Sequence, residues 1–153
     1  MCLRRPFPNK RDTGATTQHS QEPYGAPPSA ADIHAIAKRA LDGIPQALHR
    51  HLSDVVILIE EFPDAGIEAE MGLDSPFDLL GLYHGVSLDR KSVGDSPEDI
   101  DRIFLYRRPL LDYWCETGED LEAIIRNTLI HEVGHHFGFS DDDMERLESD
   151  GDA

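Results

Sequence analysis

Apolar residues recur at helical spacing through Ile33, Ile36, Ala37, Ala40, Leu41 and Ile44. Ser29 and Asp32 in front of them form a capping box with Asp in place of Glu. Gly43 and Pro45 break that helix, and Pro45 opens a second short one through Leu48 and Leu52. The pattern then changes period. DVVILIE (54–60) is a run of β-branched and apolar residues, expected to be a strand buried on both faces. A short helical piece follows Pro63, around Ile67 to Met71.

LLGLYHGVSL (79–88) reads as a second strand with a turn at His84-Gly85, and RIFLYRR (102–108) as a third. Pro109 stops that strand and suits the first turn of a helix, LLDYWCE. Thr117 and Asp120 form a further cap pattern, starting a helix through Leu121, Ile124, Ile125, Thr128 and Leu129. Ser140 caps a last helix, with Asp143 at its third position. Helices and strands in this order give an α+β fold. Residues 1–28 carry five prolines and no apolar period, so a disordered extension is expected there, with one domain over 29–153.

Composition narrows the function. The 153 residues are 39% hydrophobic, enough for a single core. No apolar run approaches the roughly 18 residues of a membrane span. MCLRRPFPNK has the charge of a signal peptide without an apolar stretch after it. Two distant cysteines, Cys2 and Cys115, exclude a disulfide framework and point to the cytoplasm. Net charge is −16; four basic against two acidic residues in 1–28 leave −18 on the remainder. Such acidity argues against nucleic acid and anionic membranes as partners.

The chemistry concentrates in TLIHEVGHHFGFSDDDMERLE (128–148). His131-Glu132-Val133-Gly134-His135 is the H-E-x-x-H pattern. Histidines four apart on a helix differ by about 40° and one turn, so their imidazoles can share one ion. Neutral imidazoles suit zinc at about 2.0–2.1 Å. Glu132, about 100° round from His131, can reach a water on the metal without being a ligand. His136 lies a further 100° or so from His135 and faces away. Gly138 can end the helix in a left-handed turn, and Asp141, three residues on, stands where the reversed chain returns to the ion. Asp141 is therefore the expected third ligand. Asp142, His84 and a distant residue are the alternatives, and Ser140–Asp143 also suits a helix N-terminus.

HEVGHHFGFSDDDM resembles the zincin metallopeptidases, and closely the small mini-zincins; LLGLYHGVSL, RIFLYRRPLL and FSDDDMERLE resemble other recurring segments of that family. The likeness runs from about residue 33 to 148. It implies a minimal zincin-like domain, a small mixed β-sheet packed on a backing helix and an active-site helix, with one zinc per chain beside an edge strand. It also implies a peptidase in which Glu132 takes a proton from a zinc-bound water and passes it to the leaving amine. The substrate would be a peptide or protein lying extended along the edge strand. Tyr83, His84, Tyr106 and Arg107 are equal candidates to stabilise an oxyanion. Metzincins carry a third histidine where this chain has Asp141, and only 12 residues follow it here, too few for their C-terminal subdomain. A non-proteolytic zinc module, structural or regulatory, is the rival expectation.

Overall fold

The structure, a computed structural model, describes residues 2–4, 25–44, 46–49, 52, 54–85, 101–136, 142 and 146. Its first helix, α1 (Ala30–Asp42), starts at the expected capping box: the Ser29 hydroxyl accepts from the Asp32 amide at 3.1 Å, and Asp32 accepts from the Ser29 amide at 2.8 Å. Ile33, Ala37 and Ala40 bury its inner face. A short α2 (Gln46–His49) delivers Leu52 to the core.

Strand β2 (Val56–Glu60) pairs in parallel with β4 (Arg102–Tyr106), which pairs antiparallel with β3 (Leu79–His84). Between β2 and β3 lie α3 (Ala65–Met71) and a 3-10 turn at Pro76–Asp78. A fourth strand comes from the segment expected to be a disordered extension. Cys2–Arg4 forms β1, antiparallel to β3, so the mixed sheet runs β1-β3-β4-β2. The remaining residues of 1–24 lie outside the described ones, as do 86–88, Gly138, Ser140 and Asp143.

Strand β2 corrects one expectation. Among the described residues it lies at the sheet edge, paired with β4, and Val56 is 41% exposed while Ile57 is buried. A continuous apolar run does not by itself require two covered faces. The third strand is also shorter than expected. It stops at Tyr106, and α4 (Arg107–Thr117) begins two residues before Pro109. Proline is tolerated there because amides in a first helical turn have no intrahelical partner to lose.

Thr117 closes α4 instead of opening the next helix. Its hydroxyl donates to the Tyr113 carbonyl at 2.9 Å, and Gly118 turns the chain at φ 69°, a left-handed conformation suited to glycine. Asp120 alone caps α5 (Leu121–His136), accepting the Ala123 amide at 2.9 Å. Residues from α1, α4, α5 and the strands share one hydrophobic cluster that includes Ile57, Ile103, Leu105, Leu110, Ile125 and Leu129.

Candidate metal centre

The buried positions of α5 include Leu121, Ile124, Ile125, Thr128, Leu129, Glu132 and Val133, which recur at the spacing of an inner stripe, with Ile130 and Gly134 buried beside it. Glu132 is therefore a carboxylate in a core position, with 0% of its surface exposed. Burying such a group is costly unless something bonds it. Its Oε2 accepts the Tyr83 amide of β3 at 2.8 Å.

Two features bring that helix so close to the strand. Gly81 has no side chain, and a Cβ there would stand 2.8 Å from the Thr128 methyl and 3.1 Å from the Phe104 carbonyl. Thr128 donates its hydroxyl to the Ile124 carbonyl at 2.8 Å, so this buried side chain is bonded within its own helix. The direction of the Gly81 Cβ also identifies the sheet face that meets α5. Alternation puts Tyr83 on that face and His84 on the other, where His84 is exposed.

His131 is half-buried, one position before Glu132. Helical backbone continues without a break through His136, which sets positions 131 and 135 one turn apart. That arrangement and the imidazole chemistry of the two positions fit a zinc ion. Among the described residues no three metal-binding side chains converge. The His135 side chain and Asp141 lie outside them, while Asp142 is helical and exposed.

The candidate oxyanion donors separate by environment. Arg107 is committed elsewhere: its Nε donates to the Pro28 carbonyl at 2.8 Å and Nη1 contacts Glu61 at 3.1 Å. Tyr106 is buried in the sheet. The Tyr83 hydroxyl is held protonated far above neutral pH, first by burial and then by the charge of buried Asp101. Gly85 makes room for that pairing, since a side chain there would strike both the Asp101 carboxylate and the Tyr83 ring.

A helix carrying H-E-x-x-H, a small mixed sheet and a buried glutamate against an adjacent strand together describe a zincin core. The model of the family described as zincin-like metallopeptidase matches residues 52–151, a span that includes His131, Glu132, His135 and Asp141. The chain belongs to the zincin-like metallopeptidase family. The minimal α+β zincin-like fold expected of the sequence is the fold observed. Among solved structures, the chain is similar to a conserved hypothetical protein from Thermo thermophilus. The two are 23% identical, with a TM-score of 0.47, over 72% of this chain and 94% of that one. No curated protein matches.

One functional group went unread in the sequence: the Tyr83 main-chain amide that anchors Glu132. Backbone donors carry no residue code. The indirect signals were Gly81, two residues earlier in the strand, and the place of Glu132 at the end of the α5 apolar spacing.

Proposed function

We propose that the protein is a zinc-dependent metallopeptidase that hydrolyses peptide bonds in an extended peptide or protein substrate. The observation that carries this reading is Glu132: next in sequence to His131, buried, and hydrogen-bonded to the amide of a sheet strand. His131, His135 and Asp141 are the proposed ligands of one zinc per chain, and the cytoplasm is the proposed location. The chemistry supplied by zinc when bound is polarisation of the scissile carbonyl and acidification of the attacking water.

The chain's own part is positioning and proton transfer. The Tyr83 amide holds one carboxylate oxygen of Glu132 and helps to orient the side chain. The other oxygen is the general base that takes the proton of the water and delivers it to the leaving amine. The substrate backbone lies along the β3 edge, so that main-chain groups select an extended conformation.

One observation favours the rival, non-proteolytic module. A glutamate bonded to an amide and fully buried is also what a structural tie between helix and sheet requires. Replacing Glu132 with Gln separates the two. Gln keeps the acceptor for Tyr83 but is no base. In a peptidase, cleavage of a mixed peptide library falls by about 10²–10⁴, while elemental analysis still finds about one zinc per chain. Wild-type protein that holds zinc and cleaves nothing in the library would establish the module.

A further inference from the structure

We propose that residues 2–4 occupy the peptide-receiving edge of β3, and that an extended, basic peptide binds this protein by displacing them. The inference rests on the peptidase reading for the purpose of that edge; the strand exchange itself does not depend on cleavage.

The geometry is set by alternation. Along a strand, amides two residues apart point to the same side. The Tyr83 amide is taken by Glu132, so it does not point at β4, and the Gly81 amide shares its direction. Leu3 stands opposite Gly81 in the register, and Cys2 opposite Leu82. The next rung along this edge is Tyr83, where Glu132 stands. Three residues of β1 and the Glu132 carboxylate thus share one line of backbone donors and acceptors.

The direction of the occupant follows. Strand β1 is antiparallel to β3, with Arg4 opposite Leu79 and Cys2 opposite Leu82. Followed toward its N-terminal end, the strand leads to Tyr83 and Glu132. A peptide in its place presents its N-terminal side to Glu132 and leaves its C-terminal side along Leu79–Leu82.

Strength and selectivity have physical sources in the same elements. The strand is only three residues long, and its register shifts between Leu3 and Arg4, which interrupts the ladder. Such a short pairing is easily exchanged. Charge assists it: the first 28 residues are net positive, against −18 on the rest of the chain. An incoming peptide that carries positive charge profits from the same field.

The test is amide hydrogen exchange on the full chain, wild type and Leu3→Pro. Proline removes the Leu3 amide and disturbs the rung at Gly81. The Gly81 amide should exchange at least about tenfold faster in the variant, while those of Leu82 and His84, which face β4, and those of α5 stay as in the wild type. The synthetic peptide MCLRRPFP, confirmed intact afterwards by mass spectrometry, should restore slow exchange at Gly81 in Leu3→Pro. The same peptide with both arginines replaced by glutamate should need at least about tenfold more to do so.

Unchanged Gly81 exchange in Leu3→Pro would overturn the occupancy, and failure of the basic peptide to restore protection would overturn the exchange. Equal potency of the two peptides would overturn the preference for charge. None of these readouts requires catalysis, so a protein that cleaves nothing but exchanges its strand loses the peptidase reading and keeps this one. If both hold, Leu3→Pro lowers KM for basic peptides while kcat stays as in the wild type.

Discussion

At the β2 edge, Glu61 lies in solvent between two guanidinium groups, 2.9 Å from Arg108 Nε and 3.1 Å from Arg107 Nη1. At the β3 edge, Glu132 is fully buried and accepts a hydrogen bond from a neutral donor, the Tyr83 amide. The first carboxylate has two cations and little stake in the core. The second has a low-dielectric setting and an amide bond at 2.8 Å. Exposed ion pairs contribute about 0–1 kcal/mol, whereas burying a carboxylate carries a desolvation cost that its hydrogen bonds must offset. Glu61 belongs to the ordinary management of a sheet edge.

Gly81→Ala inserts a methyl group between β3 and α5, against Thr128 and the Phe104 carbonyl. It is expected to cost about 1–3 kcal/mol, read as a lower urea midpoint. Gly25→Ala, with open space around its Cβ, should change stability by less than about 0.5 kcal/mol. Equal effects would mean that the helix is not seated on the strand as described.

Tyr83 offers the next largest effect. Its pKa in the fold is raised, chiefly by burial and then by Asp101. Above the ordinary tyrosine range, near pH 10, the unfolded chain ionises this group while the folded chain keeps its proton. Its contribution is thus complete below about pH 10 and is lost as pH rises toward the folded value, at up to about 1.4 kcal/mol per pH unit. Tyr83→Phe should remove that slope, seen in urea midpoints between about pH 9 and 11. Identical slopes would place the hydroxyl in solvent.

The smallest effect belongs to the other edge. The bond from Arg108 lowers the Glu61 pKa most; Arg107 adds to it and burial opposes it. A lowered value makes this contribution complete above the ordinary glutamate range and lost as pH falls through the folded pKa. Glu61→Gln should cost under about 1 kcal/mol at pH 7, and nothing measurable in about 1 M salt.

Much of this architecture could be read from side-chain patterns. The Ser29–Asp32 box, the α1 stripe and the helix that runs into the histidines are local signals, and they appear where the spacing puts them. What the patterns concealed is decided by neighbours. Whether the apolar run at β2 has one or two covered faces depends on sheet order, and β1 carries no apolar pattern because its bonds are main-chain bonds. Arg107 shows the same limit, as its type suggested substrate and its position ties it to Pro28 and Glu61. His131, Glu132 and His135 were legible as a group because a helix converts spacing into direction. The strand amide that receives Glu132 had no residue type to announce it.

The contact at Gly81 has a mechanical consequence. It works as a gauge block: helix and strand are pressed together until nothing remains between them, and the carboxylate four residues beyond Thr128 is thereby set to its reach. Hydrogen bonds of this kind operate within about 2.7–3.2 Å, a tolerance narrower than one methyl group. The position that calibrates the site is therefore one with no side chain at all, some distance along the strand from the atoms it adjusts.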